Sequence, residues 1–107
     1  MVKEITPAEF IAKRAAGHSM TLVDVRDAWE IEIAPVPTPT LHIPMAQVAD
    51  QLAQLDSKDD VVVICRSGGR SMAVARFLEQ AGFGTVSNVS GGILAWSRDI
   101  DPSIRQY

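Results

Sequence analysis

The run Val61-Val62-Val63-Ile64 constrains the fold more than any other stretch of the chain. Four consecutive β-branched apolar residues predict a strand covered on both faces, as in the interior of a parallel sheet. The run ends at Cys65, and the pair Gly68-Gly69 follows in a loop that leads into a helical pattern. Ligands of such sheets bind beyond the carboxyl ends of the strands. The run therefore places Cys65 where a ligand site is expected.

Strand and helix patterns alternate over the rest of the chain, which predicts an α/β fold with helices on both faces of a parallel sheet. Strands are predicted at 2–5, 21–25, 41–43, 61–64 and 85–89. Helices are predicted from a capping box at Thr6 to about Ala16, over 28–33, along the stripe Met45, Val48, Leu52 and Leu55, and along the face Ala73, Val74, Phe77, Leu78 and Ala81. Gly91-Gly92 is predicted to begin a turn into Ile93-Leu94-Ala95-Trp96. Prolines make 34–40 a stiff loop, and visible order ends at Asp101-Pro102. A single domain over 1–107 is expected.

The loop after Cys65 has the features of an anion site. Its amides, the positive end of the following helix and the guanidinium groups of Arg66 and Arg70 all favour negative charge at the sulfur. Helix N-termini and basic neighbours lower a thiol pKa from about 8.5 to roughly 3.5–7.5, so a thiolate is expected at neutral pH. A buried, inert cysteine is the alternative interpretation. The glycine-rich, basic continuation favours the functional one.

Composition narrows the function classes. The 107 residues carry a net charge of −3 with one cysteine, and the isoelectric point is near 5.2. An acidic chain argues against nucleic-acid binding, and one cysteine excludes an internal disulfide framework, a CxxC pair and a multi-cysteine zinc site. No signal, anchor or membrane-spanning run is visible, so a cytoplasmic monomer is expected. A group loaded on Cys65 must be accepted by another molecule.

Four motifs resemble the single-domain rhodaneses, which are thiosulfate sulfurtransferase-like proteins. They are Leu22-Val23-Asp24-Val25-Arg26 with Trp29-Glu30, His42-Ile43-Pro44, the loop from Cys65 to Ser71, and Gly91-Gly92-Ile93-Leu94-Ala95-Trp96. The resemblance covers nearly the whole chain and implies a five-stranded parallel sheet flanked by helices, with sulfur carried by Cys65 as a persulfide. One departure is the loop 34–40, which lacks the glycine and histidine usual in the family and bears on one wall near the site.

The resemblance implies sulfur transfer by two displacements and assigns the site residues. Cys65 would take sulfur from a small anionic donor such as thiosulfate and pass it to cyanide, a thiol or an acceptor protein, without a metal or organic cofactor. The active-site loop would consist of Arg66, Ser67, Gly68, Gly69, Arg70 and Ser71, with the two arginines holding the donor's oxygens. Asp24 and Arg26 would either steer the substrate or form a structural ion pair.

Other residues near the motifs have structural interpretations. The hydroxyl of Ser71 is expected to satisfy amides at a helix N-terminus rather than to act as a nucleophile. Trp29 and Trp96 could border the pocket, but aromatic residues at the start of an element are usually in the core, where both are expected. Gly91-Gly92 is expected to allow one turn to approach another closely.

Two other functions remain open. Cysteine phosphatases and arsenate reductases hold an oxyanion in a loop with five residues between cysteine and arginine. In this chain four residues separate Cys65 from Arg70, and the arginine of a phosphatase loop would fall on Ser71. The shorter loop suits a terminal sulfur atom better than a phosphate. The other possibility is a partner-dependent module that carries sulfur in a relay. An intact Cys65 argues against an inactive variant.

Overall fold

The computed structural model describes residues 1–107. Its strands are β1 (Lys3–Ile5), β2 (Thr21–Asp24), β3 (Leu41–His42), β4 (Asp60–Ile64) and β5 (Thr85–Val89). Its α-helices are α1 (Pro7–Ala15), α2 (Ala28–Ile33), α3 (Gly69–Gln80) and α4 (Gly92–Asp99), and two 3₁₀ helices span Met45–Gln47 and Ala49–Gln54. Each strand lies within a residue or two of the position that the sequence predicts.

All five strands are parallel and lie in the order β1-β5-β4-β2-β3. The apolar strand β4 occupies the centre, where Val63 lies between Val23 of β2 and Asn88 of β5. This central position explains the apolar run from Val61 to Ile64, because neither face of the strand meets water there. The carboxyl end of β4 delivers Cys65 to the middle of one sheet edge.

Alternate residues of β4 pack into two separate cores, one on each face of the sheet. Val61 and Val63 join the core that contains Val74 and Leu78 of α3. Val62 and Ile64 join the other, with Phe10 of α1 and Trp96 of α4, whose rings pack at 5.8 Å. Helices therefore cover both faces, which confirms the predicted architecture. Side chains alternate across a strand, so a strand between two helical layers buries side chains on both of its faces, as Val61 to Ile64 do.

The predicted helix over the Met45 stripe is two 3₁₀ helices on either side of Val48, and the second is kinked at Gln51. The pairs Met45/Val48 and Leu52/Leu55 are each three residues apart, a spacing that fits a 3₁₀ helix as well as an α-helix. The four-residue step between the pairs contains the kink at Gln51. Val48 is buried, whereas Met45 remains 42% exposed. The stripe located the packing face correctly and the type of helix wrongly.

The buried face of α3 agrees with the predicted one at Val74 and Leu78, whereas Ala73, Phe77 and Ala81 are exposed. Ser71, Val74, Ala75 and Leu78 are buried, while Phe77 is 40% exposed. The hydroxyl of Ser71 points inward to Cys65 Sγ and Asn88 Oδ1, so the expectation that it satisfies amides at the helix N-terminus is wrong. Gly82, at φ +99°, ends the helix as predicted.

Order also extends beyond Asp101-Pro102, where the sequence shows none. Ile104 is buried in the core beside Trp96, and its carbonyl accepts a 2.6 Å hydrogen bond from the Ser97 hydroxyl. These contacts join the last residues to α4.

None of the helices has the length and apolar character required to cross a bilayer.

Candidate active site

The loop that follows β4 curls around the sulfur of Cys65. The amide of Gly68 donates to Sγ at 3.1 Å, and the hydroxyl of Ser71 lies 3.2 Å from the same atom. Gly68 has φ +110°, a left-handed conformation that glycine adopts without strain. This conformation turns the chain into α3, whose amino end faces Cys65. The thiol itself is 1% exposed and lies at the floor of the loop.

A second glycine turn supports this loop from below. The amides of Ile93 and Leu94 donate to the carbonyl oxygens of Cys65 and Arg66 at 2.9 and 3.1 Å. A Cβ on Gly92 would lie 2.5 Å from both of those oxygens. The close approach that the sequence predicted for Gly91-Gly92 is therefore confirmed, and Gly92 is the residue that requires it.

Hydrogen bonding outweighs burial at the thiol. Burial raises the pKa of Cys65, but the Ser71 hydroxyl and the amides of Ser71, Gly68 and Ser67 lower it, and the pKa lies below its ordinary value. Each donor stabilises the thiolate more than the thiol, because an ionised acceptor forms the stronger hydrogen bond. The loop thus favours a nucleophilic sulfur.

Alkylation by iodoacetamide is therefore expected to stay fast below the pH at which a model thiol of pKa about 8.5 slows. The measurement is the logarithm of the alkylation rate against pH, and its inflection should lie below that of a cysteine-containing peptide measured alongside. An inflection at or above that of the peptide would contradict activation by the loop.

Asn88 lies directly behind the Ser71 hydroxyl. Its Oδ1 is 2.5 Å from Ser71 Oγ, and its Nδ2 donates to Glu4 Oε1 at 3.1 Å and to the Gly68 carbonyl at 3.3 Å. Glu4 also accepts a 2.7 Å bond from the Ser90 hydroxyl. A chain of hydrogen bonds therefore runs from the sulfur through the sheet to β1 at its edge.

Arg70 is held by a carboxylate that sequence reasoning did not single out. Its two terminal nitrogens donate to the two oxygens of Glu30, each at 2.7 Å. This bidentate pair lowers the pKa of Glu30 to about 2 and raises that of Arg70. Glu30 is 2% exposed, so the pair fixes the guanidinium over the loop. The Nε–H of Arg70 has no partner in the structure and can still bind an anion.

Arg66 is bound by the last residue of the chain. Its Nε donates to the main-chain oxygen of Tyr107 at 2.8 Å, its Nη2 contacts the same oxygen, and its guanidinium lies 5.2 Å from the centre of the Tyr107 ring. Nη1 has no partner in the structure. The residue is exposed, so one edge of its guanidinium remains available to bind a sulfur donor.

Asp24 and Arg26 form a buried ion pair at the end of β2. Their closest nitrogen and oxygen are 2.8 Å apart, and the two side chains are 2% and 0% exposed. Arg26 also donates to the carbonyl of Ala34 at 2.8 Å and to the hydroxyl of Tyr107 at 3.0 Å. Both charges are buried and hydrogen-bonded, so the pair links the end of β2 to Ala34 and Tyr107. Its role towards a substrate stays a prediction.

The Tyr107 hydroxyl completes this network by donating to Glu30 at 2.8 Å. The edge of the ring faces Trp29 at 6.0 Å. Trp29 is 57% exposed, so its expected place in the core is wrong, whereas Trp96 is 1% exposed as expected. Trp29 lies at the amino end of α2, beside Glu30, and forms part of the rim of the site.

Two signals in the sequence could have indicated the missed residues. Asp27 and Glu30 form a capping box at the start of α2, a pattern that marks the element carrying the carboxylate. Asn88 is a polar residue in a buried strand, and such residues need a specific partner. The role of Tyr107 has no local signal, because it arises from contacts across the chain.

Residues 6–99 match the family model of the rhodanese-like domain. The chain is 39% identical over 101 residues to the candidate sulfurtransferase YtwF of Bacillus subtilis, covering 94% of this chain and 96% of that protein. It is 34% identical to the candidate sulfur carrier protein YrkF of the same organism, covering 90% of this chain and 51% of the relative.

Solved structures agree with this match. A rhodanese-like domain protein from Staphylococcus aureus superposes with a TM-score of 0.81 at 32% identity, covering 89% of this chain and 91% of that one. The parallel sheet, the cysteine loop at the end of its central strand and the match over residues 6–99 lead to one conclusion. The chain belongs to the rhodanese-like domains, as a sulfurtransferase or sulfur-carrier domain.

Proposed function

We propose that this protein takes sulfane sulfur from thiosulfate and transfers it to cyanide or a thiol through a persulfide on Cys65. The observation that carries the proposal is the set of donors around Sγ: the Gly68 amide at 3.1 Å and the Ser71 hydroxyl at 3.2 Å. Preorganised donors of this kind stabilise an anion at the sulfur without reorganisation during the reaction.

In the first displacement the Cys65 thiolate attacks the outer sulfur of thiosulfate. The new Sγ–S bond forms as the S–S bond of thiosulfate breaks, and sulfite leaves with the electron pair of that bond. The dianion and the thiolate together carry three negative charges, and the persulfide anion and sulfite carry the same three. The persulfide charge then lies on the outer sulfur, within the amides of the loop.

In the second displacement cyanide attacks that outer sulfur. The Sγ–S bond breaks, the Cys65 thiolate leaves with its electrons, and thiocyanate is released with the transferred sulfur. A thiolate acceptor reacts in the same way and becomes a persulfide. The donors that stabilise the Cys65 thiolate serve in both steps, since Sγ is the nucleophile of the first and the leaving group of the second.

Intact-mass measurement tests the proposal. Protein incubated with thiosulfate should gain the mass of one sulfur atom, and cyanide should remove it with release of thiocyanate. The same preparation should leave aryl phosphates unchanged, because the loop has four residues between Cys65 and Arg70. Phosphate release without sulfur loading would favour a phosphatase and contradict the proposal.

A second candidate function is sulfur carriage to a partner protein. The apolar side chains exposed on the surface include Trp29, Met45 and Phe77, which are 57%, 42% and 40% exposed. Cys65 is the chain's only cysteine, so a loaded sulfur leaves only to another molecule. The two functions share the persulfide, and slow turnover with cyanide despite complete loading would favour the carrier.

Arg66→Gly is expected to lower kcat/KM for thiosulfate roughly ten- to a hundredfold, since a charge-assisted hydrogen bond contributes about 1.5–3 kcal/mol. Mercaptopyruvate has one carboxylate and a carbonyl, so its kcat/KM should fall less in this variant. We expect the wild type to prefer thiosulfate, and the ratio of kcat/KM between the two donors should therefore decrease. Steady-state kinetics with both donors at matched ionic strength measures the ratio.

Two controls accompany this variant. Arg66→Lys keeps the charge and loses the planar fork, so it should retain part of the preference. Arg76→Gln removes an exposed positive charge of α3 and should leave the ratio unchanged. An unchanged ratio in Arg66→Gly would show that this guanidinium does not bind the donor.

A further inference from the structure

The hydroxyl of Ser71 has one proton and two acceptors. Its oxygen lies 3.2 Å from Cys65 Sγ and 2.5 Å from Asn88 Oδ1. Ser71 is completely buried and Asn88 is 2% exposed. Bulk water therefore does not donate a hydrogen bond to whichever acceptor the hydroxyl leaves. Since a hydroxyl donates only one hydrogen bond, Sγ and Asn88 compete for it.

The contacts of Asn88 define which of its atoms faces Ser71. Its nitrogen lies within 3.3 Å of the Glu4 carboxylate and the Gly68 carbonyl, and both groups only accept hydrogen bonds. The amide oxygen must therefore point towards Ser71, where it too is only an acceptor. A flipped amide would place oxygen against two oxygens and nitrogen against the hydroxyl.

We propose that Asn88 is a positioning residue that withholds the Ser71 proton from Cys65 whenever Sγ is uncharged. A thiolate is the stronger acceptor, so the hydroxyl turns to Sγ when Cys65 is ionised. A neutral thiol accepts weakly, and the hydroxyl then donates to Asn88. In the persulfide the charge lies on the outer sulfur, so Sγ is neutral and the hydroxyl again faces Asn88; this last part rests on the proposed function.

This arrangement delivers a hydrogen bond to Sγ as negative charge develops there. When an acceptor removes the outer sulfur, Sγ becomes a thiolate and the hydroxyl rotates from Asn88 to it. The cost of the rotation is the lost bond to the amide oxygen. Asn88 therefore opposes thiolate formation, whereas Ser71 promotes it, and the two residues should have effects of opposite sign.

The other charges near the sulfur do not change with either residue. They are Arg70 at the start of α3, its partner Glu30 from α2, Arg66 of the loop, and Glu4 of β1 behind Asn88. Substituting Ser71 or Asn88 by an uncharged residue leaves all of them in the chain. A shift of opposite sign in the two variants thus reports on the shared proton.

The test is the pH profile of iodoacetamide alkylation in single and double variants. Ser71→Ala should lower the rate near neutral pH roughly tenfold, the equivalent of one hydrogen bond to an ionised group, and Ser71→Thr should restore it. Asn88→Leu, of similar volume but without an acceptor, should raise the rate. In a Ser71→Ala background Asn88→Leu should have no effect, because the proton it frees is absent.

Ser90→Ala is the matched control, since it breaks the outer bond of the same chain without touching Ser71 or Asn88, and it should leave the profile unchanged. Asn88→Ala carries the same expectation as Asn88→Leu if the larger side chain prevents folding. The inference would be overturned if both Asn88 variants lowered the alkylation rate. It would also be overturned if Asn88→Leu raised the rate as much in the Ser71→Ala background as in the wild type. Alkylation needs no sulfur donor, so failure to load thiosulfate sulfur would contradict only the proposed function.

Discussion

Replacing Cys65 by serine is expected to abolish sulfur loading and to lower turnover with thiosulfate and cyanide by at least about a thousandfold. Cys65 is the only thiol of the chain, and a serine hydroxyl is neither ionised at neutral pH nor able to form a persulfide. The measurements are the intact mass after incubation with thiosulfate and the rate of thiocyanate production.

The substitution by serine removes the reactive sulfur and is expected to leave the fold intact, so a loss of activity would report on the chemistry. The serine hydroxyl can accept a hydrogen bond from the Gly68 amide, as Sγ does, and lies within reach of the Ser71 hydroxyl. The stability of Cys65→Ser should therefore stay within about 1 kcal/mol of the wild type. A folded serine variant that still gained one sulfur atom would contradict the role proposed for Cys65.

Gly92→Ala is expected to destabilise the fold by more than about 3 kcal/mol and to remove sulfur loading with it. The residue has φ +58°, and an added Cβ would lie 2.5 Å from the carbonyl oxygens of Cys65 and Arg66. Those oxygens belong to the backbone, where β4 enters the loop, and cannot move aside as a flexible side chain can. Relief of the clash would displace the active-site loop from α4.

Denaturant unfolding measures this loss, with Gly84→Ala as the matched control. A Cβ on Gly84 would meet no atom within 4 Å, and its φ lies outside the left-handed region. We expect Gly84→Ala to change the free energy of unfolding by less than about 1 kcal/mol. Equal stability of the two variants would show that α4 does not require the close approach seen at Gly92.

Prediction of the fold from the sequence succeeded where the signals were local. The apolar run of β4, the capping box that begins α1 and the glycine that ends α3 each involve a few neighbouring residues. Such signals depend on periodicity and backbone conformation, which neighbours along the chain largely determine. The prediction of an α-helix failed at Met45–Gln54, where pairs of apolar residues three positions apart fit two kinds of helix.

Cys65 and its loop could be assigned to the candidate site from the sequence, whereas the partners of its arginines could not. Arg66 and Arg70 were expected to face the donor directly, yet each already binds protein atoms, Tyr107 and Glu30 respectively. Glu30 and Tyr107 lie 40 and 41 residues away along the chain from these arginines. Contacts at such separations depend on how the helices pack and leave no local pattern.

The sequence by itself determined the parallel α/β architecture and the place of Cys65 between a central strand and a helix. Buried strands and glycine turns are signalled by short stretches of sequence, and the carboxyl end of a central strand lies at the edge of the sheet where ligands bind. Only the tertiary structure decided which acceptors share the Ser71 proton and what holds each arginine. Hydrogen bonds form between groups that packing brings within about 3 Å, and that packing joins β1, β5 and α3 around one sulfur atom.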